Sequence, residues 1–169
     1  IDVERFTPGP PEPDLRARWS PDGAPVLLTA SRLVRWKGIE YAVQALARLP
    51  SSSAPRLVIA GDGPYRSDLE AQARRLGVAG RVHFEGALPA ERMCAAYRSA
   101  DLVLGTSFVN ETFGITLCEA MACTRPIIAS DFGGFREVVA DGETGRLVPP
   151  QDPDALATAI ADLLADPVR

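Results

Sequence analysis

Val26-Leu27-Leu28-Thr29-Ala30-Ser31-Arg32-Leu33-Val34-Arg35-Trp36-Lys37-Gly38 is the stretch whose reading decides the fold. Its first five residues form a short apolar run with no alternation, the pattern of a strand covered on both faces, as in a parallel sheet. From Gly38 to Leu49 apolar residues recur at helical spacing (Ile39, Ala42, Val43, Leu46, Leu49), which predicts a helix. The same alternation repeats outward along the chain. Strands are expected at 57–60, 81–84, 102–104, 126–129 and 145–148. Helices are expected from Pro64, over 90–98, 114–121 and 135–139, and from Asp154 to Ala165. Pro64 suits a first helical position, and Asp152 ahead of Pro153 suits an N-cap. Six strand–helix alternations joined by right-handed crossovers predict an α/β domain of Rossmann-like, three-layer form, an open parallel sheet of about six strands with helices on both faces. Residues 1–24 are Pro-rich and lack an apolar period, so they read as an extended linker leading into a domain of 25–169.

Composition narrows the function. A chain of 169 residues holds one well-packed domain, and its net charge of −4 comes with no basic tail or stripe, which argues against a nucleic-acid partner. No apolar run approaches the roughly 20 residues that span a bilayer. Ile1-Asp2-Val3-Glu4 is acidic where a secretory signal is basic. Cys94, Cys118 and Cys123 are odd in number and lack metal-ligand spacing, so they read as reduced thiols of a cytoplasmic protein. Lys37 is the only lysine among 18 basic residues, which singles out a position for a compact ammonium. The single histidine, His83, falls inside an expected strand and is not assigned to catalysis.

In open α/β sheets ligands bind at the carboxyl ends of the strands, near a switch in strand order, so the residues after each strand carry the functional reading. After the first strand, Arg32 and Lys37 flank a helix N-terminus; they form either a diphosphate site or a solvated basic loop. After the strand at 102–104, Glu111 and Glu119 stand eight positions apart. On one helix they would point about 80° apart. The better reading puts Glu111 in a loop and Glu119 in a helix that begins near Gly114. The N–H groups of Phe113, Gly114, Ile115, Thr116 and Leu117 would then be free for an anion. Gly114 admits close backbone approach. Glu119 suits the two hydroxyls of a ribose, and Glu111 suits sugar hydroxyls. Gly61-Asp62-Gly63-Pro64 either brings backbone, at Gly61 and Gly63, close to a nucleotide or makes a plain turn. It is not a dinucleotide fingerprint, since Arg66 stands at the third glycine position, and no P-loop run occurs. Gly133-Gly134 is either a second sugar-facing loop or a cap.

Taken in order, these blocks resemble the C-terminal domain of GT-B fold glycosyltransferases, specifically the retaining family 4. The similar segments are Ile1 to Pro8, Ser31-Arg32-Leu33 with Lys37-Gly38, Ala60 to Pro64, Val82 to Gly86, Glu111 to Glu119, Ser130 to Gly134, Asp141 to Gly145, and Val148-Pro149-Pro150. The resemblance implies that Arg32 and Lys37 hold the donor diphosphate and stabilise the leaving group, with Glu111 completing the catalytic set. Backbone near Val82 would meet the base and Glu119 the ribose. Glu111 and the backbone at Phe113, Gly114 and Ile115 would hold the sugar, with Thr116 and Leu117 at the phosphates. It further implies a UDP-, GDP- or ADP-sugar donor, transfer with retention, no metal or other cofactor (the chain has no D-x-D), and a preceding acceptor-binding domain as partner, the whole enzyme acting at a membrane surface. Two alternatives stay open, a nucleotide-sugar epimerase and a non-catalytic nucleotide-binding domain. One position departs from the family: Thr124 stands where it usually has glycine, and a positive φ there would strain a threonine.

Overall fold

The computed structural model describes residues 1–50 and 55–165; positions 166–169 of the expected domain lie outside them. In chain order the elements are α1 (Pro13–Trp19), β1 (Val26–Ala30), α2 (Ile39–Arg48), β2 (Arg56–Ala60), α3 (Arg66–Arg75), β3 (Val82–Gly86), α4 (Ala90–Arg98), β4 (Leu102–Gly105), α5 (Ile115–Ala122), β5 (Ile127–Ser130), α6 (Phe135–Val138), β6 (Arg146–Val148) and α7 (Pro153–Ala165). A single 3-10 turn, Arg35–Lys37, precedes α2.

The six strands form one sheet in the order β3-β2-β1-β4-β5-β6, and every pairing is parallel. Strand order reverses between β1 and β4, where Leu27 pairs with Leu102 and Leu28 with Val103. The crossovers before and after that point lie on opposite faces, so the loops leaving β1 and β4 part and leave a crevice. Alternation within the strands divides the core in two. Leu27, Leu57, Ile59, Leu102, Leu104, Ile128 and Val148 pack under α2, α3 and α7. Val26, Leu28, Val58, Val103, Ile127 and Ala129 pack under α1, α4, α5 and α6. This is the expected three-layer architecture.

Several boundaries shift. Pro64 and Tyr65 belong to a turn, and α3 starts at Arg66. β3 runs two residues further than expected, to Gly86. Asp152 does cap α7: its Oδ1 accepts the N–H groups of Asp154 at 3.1 Å and Ala155 at 2.9 Å. The larger correction is in the leading segment, which holds α1 and is not extended throughout. Pro13 supplies the fixed φ of a first helical turn, and Leu15 and Trp19, four apart on one face, are buried to 0% and 1% exposure. The helix is fastened to the sheet edge through Glu85, whose side chain is 6% exposed. Its carboxylate accepts from Trp19 Nε1 at 2.7 Å, pairs with Arg18 at 2.9 Å and meets His83 Nε2 at 2.9 Å. His83 therefore stands in a structural network, far from the crevice end of its strand.

The three cysteines are free thiols. Cys94 and Cys123 are buried with their sulfurs 3.8 Å apart, and burial pushes the Cys123 thiol up to about 12. Thr124, which follows, has φ +55°, the left-handed conformation that glycine adopts without strain. No helix of the described residues is long and apolar enough to cross a membrane.

Candidate functional site

Two loops meet at the switch point and are stitched together by backbone. Gly38 has φ +65°, and a Cβ there would lie 2.1 Å from the Thr106 carbonyl oxygen, so only glycine lets the turn after Lys37 press against the loop leaving β4. Thr106 Oγ1 donates to the Lys37 carbonyl at 2.8 Å, and the Phe108 N–H donates to the Trp36 carbonyl at 3.1 Å. Buried Leu33 and Val34 anchor the other half of the β1 loop.

This stitching brings Lys37 to Glu111. The ammonium lies 2.8 Å from Glu111 Oε2, with the two side chains 24% and 14% exposed. Ser107 Oγ donates to the same oxygen at 3.0 Å, and the Gly114 N–H donates to Oε1 at 3.2 Å. A carboxylate that accepts three donors, one of them charged, is held in one orientation. From behind, Gly134 N–H donates to the Glu111 carbonyl at 2.9 Å. A Cβ on Gly134 would sit 2.3 Å from the Thr112 carbonyl, and one on Gly133 2.4 Å from the Glu111 carbonyl. The glycine pair is a buttress for the Glu111 loop, and neither residue lines the crevice cavities.

α5 points its N-terminus into the crevice. Among the described residues the N–H groups of Phe113, Ile115 and Thr116 have no acceptor, whereas those of Gly114 and Leu117 are taken by Glu111 Oε1 and the Gly114 carbonyl. The anion-facing set is thus narrower than the five groups expected from sequence. Leu117 is 1% exposed, with its side chain in the core and its N–H on the Gly114 carbonyl at 2.9 Å. Arg32 is exposed and has no ion-pair partner among the described residues.

Two adjoining cavities result. One, about 240 Å³, is lined by Arg32, Lys37, Ser107, Glu111, Phe113, Gly114, Ile115 and Thr116. The other, about 380 Å³, is lined by Gly61, Asp62, Ala87, Leu88, Met93, Tyr97 and Glu119. Both share Ala30, Ser31, Arg32 and Thr116, so the chambers lie side by side along that seam. In the second chamber Tyr97 OH donates to Glu119 Oε2 at 2.9 Å. Burial, and then the Glu119 charge, push the phenol of Tyr97 upward, so it stays a neutral donor and orients the carboxylate. Glu119 Oε1 has no hydrogen-bond partner among the described residues and is available to a ligand.

Two further expectations from sequence are corrected. Val82 opens β3, opposite Leu57 at the start of β2, four residues and therefore roughly 13 Å from the carboxyl end. The sheet brings Ala87 and Leu88 to the chamber in its place. Gly63 lines neither cavity; a Cβ there would lie 2.4 Å from the Leu33 carbonyl, so its bareness serves loop packing, while Gly61 both packs against the Ser31 carbonyl and lines the second chamber. Ser107, Met93, Leu88 and Tyr97 were not expected. Ser107 lies two residues past β4 and was findable by the strand-end rule; Leu88 and the α4 residues Met93 and Tyr97 carry no motif.

A doubly wound parallel sheet with a two-chambered cleft at its switch point places the chain among the Rossmann-like α/β domains. More narrowly, the chain belongs to the family described as "Glycosyl transferases group 1", whose profile matches residues 12–169. It is 39% identical over 183 aligned residues to a GDP-mannose-dependent alpha-(1-6)-phosphatidylinositol monomannoside mannosyltransferase of Mycolicibacterium smegmatis, covering 100% of this chain and 46% of that protein. It is similar in structure to HepE of Anabaena in complex with UDP and glucose, with a TM-score of 0.86 and 30% identity, covering 99% of this chain and 46% of that one. The C-terminal domain of LpcC from Francisella tularensis, a group 1 glycosyl transferase family protein, shares the fold with a TM-score of 0.83 at 24% identity, covering 99% of this chain and 89% of that one. The chain thus spans about half the length of the curated relatives it matches. The fold is that of one half of the GT-B glycosyltransferases.

Proposed function

We propose that residues 25–169 bind a nucleoside-diphosphate sugar and that the protein to which this domain belongs transfers the sugar to an acceptor with retention of configuration. The observation that carries the reading is the adjacency of the two chambers along Ala30, Ser31, Arg32 and Thr116. A carboxylate suited to a ribose, Glu119, and a cationic pocket over a helix N-terminus, with Lys37 and Arg32, lie on one path through Thr116. A nucleoside fits the chamber of Glu119, Ala87 and Leu88. Its diphosphate then lies between Arg32, Lys37 and the unpaired N–H groups at the start of α5, and the sugar reaches Glu111 and the backbone at Phe113, Gly114 and Ile115.

The chemistry follows from where charge develops. Breaking the bond between the sugar and the diphosphate loads negative charge onto the leaving phosphate. Fixed cations and oriented N–H groups stabilise that charge with little reorganisation. These groups neutralise the diphosphate without a metal ion, and no metal dependence is expected. Glu111, oriented by its donors, accepts sugar hydroxyls and faces the positive charge that builds on the sugar ring. The acceptor is supplied with a second domain.

Titration calorimetry of the chain with UDP, GDP and ADP tests this, with and without EDTA, and with Lys37→Ala and Glu119→Ala. One nucleotide should bind, equally well in EDTA, and roughly 10-fold or more weaker in each variant, the loss expected for a charge-assisted contact. That nucleotide names the base. Equal binding by the wild type and both variants would place the nucleotide elsewhere.

A further inference from the structure

We propose that Ser107 is the positioning residue for Glu111, holding that carboxylate on the donor sugar once the diphosphate has drawn Lys37 away; the inference rests on the donor-site reading above. Ser107 is 3% exposed, and the hydrogen bond from its hydroxyl to Glu111 Oε2 at 3.0 Å is its sole side-chain contact of that kind among the described residues. Without donor, Glu111 Oε2 is shared between Ser107 and the Lys37 ammonium at 2.8 Å. The same ammonium lines the pocket that takes the diphosphate. An ammonium turned to two phosphate charges leaves the carboxylate, and at that moment Glu111 keeps two donors, Ser107 Oγ on Oε2 and the Gly114 N–H on Oε1 at 3.2 Å.

One donor on each oxygen fixes both the plane and the direction of a carboxyl group; one donor alone lets it rotate about its terminal bond. Thr106, the adjacent residue, holds the Lys37 carbonyl at 2.8 Å. Two consecutive hydroxyls after β4 therefore serve the two halves of the pair, Thr106 the lysine loop and Ser107 the glutamate.

The role separates sugar recognition from nucleotide recognition, and the experiment reads that split. Affinities for UDP and UDP-glucose, for GDP and GDP-mannose, and for ADP and ADP-glucose are measured by calorimetry on the wild type, Ser107→Ala, Ser107→Thr and Glu111→Gln, with melting curves to verify folding. In Ser107→Ala the sugar nucleotide should weaken roughly 10-fold while the parent nucleotide stays within about twofold, and Ser107→Thr, which keeps the hydroxyl, should restore most of the loss. If Glu111→Gln weakens the sugar nucleotide and Ser107→Ala does not, the inference is overturned and the donor-site reading stands. Equal weakening of nucleotide and sugar nucleotide in Ser107→Ala also overturns it, since that pattern is loss of structure. If Glu111→Gln changes neither ligand, the sugar does not rest on Glu111 and the inference is overturned; if the wild type binds none of the six, the donor-site reading fails and the inference falls with it.

Discussion

Thr124 shows how far a single residue can be read. Its φ of +55° costs a β-branched side chain about 1–2 kcal/mol relative to an ordinary conformation, and the residue is exposed, so little packing offsets the strain. Glycine relieves it but adds freedom to the unfolded chain worth about 0.5–1 kcal/mol. Thr124→Gly should therefore stabilise by about 1 kcal/mol, visible as a higher urea midpoint with an unchanged slope. A lower midpoint would mean that the Thr124 hydroxyl, which donates to the Cys123 carbonyl at 2.7 Å, outweighs the backbone term. The strain was expected beforehand because the family resemblance implies glycine where Thr124 stands. Arg32, Lys37, Glu111 and Glu119 were singled out for another reason: each is charged and follows a strand's carboxyl end or lies in the helix beyond it, where the topology puts ligands. Val82 misled because a motif names a strand but not which of its ends faces the crevice, and β3 points its far end there.

At the scale of elements, the alternation of short apolar runs with helical periods was enough to give a parallel, doubly wound sheet, since each apolar run has to be covered on both faces. α1 escaped the same reading. It is seven residues long, too short for a period to show, and proline surrounds it. Its place is set by partners distant in sequence: Leu15 and Trp19 under the sheet, and Glu85 sixty-six positions after Trp19. Trp19→Ala should cost about 3–5 kcal/mol through the cavity left, and Trp19→Phe, which keeps most of the ring contact and loses only the Nε1 donor to Glu85, about 1–3 kcal/mol. Urea unfolding measures both. A loss below 1 kcal/mol in Trp19→Ala would show that α1 docks loosely and that the leading segment is a linker after all. The Glu111 loop is the second element that sequence underdetermined. Gly133 and Gly134 read as a possible ligand loop because glycine serves both backbone approach and ligand approach; the 2.3 Å and 2.4 Å separations from the 111–112 backbone decide for packing.

For the whole molecule, the same crevice sets both ligand affinity and ligand-linked stability. A nucleotide that binds only the folded chain stabilises it by mass action, about 2.7 kcal/mol at a hundred times its dissociation constant. For a chain of 169 residues each kcal/mol moves the melting midpoint by about 2–4 °C, so a saturating nucleoside diphosphate should raise it by roughly 5–11 °C. The shift ought to vanish selectively. Lys37 lines the crevice and is absent from both apolar cores, so Lys37→Ala should melt close to the wild type when alone. It leaves Glu111 with Ser107 and Gly114 as donors, and that carboxylate, now facing the phosphates without its counter-charge, repels them. The variant should therefore lose most of the ligand-induced rise while keeping its own midpoint. A shift of equal size in both proteins would show that the stabilising nucleotide sits outside the Lys37 pocket. A fall of more than about 5 °C in the unliganded variant would instead assign the Lys37–Glu111 pair a structural role, as the clasp between the loops of β1 and β4 on which the crevice itself depends.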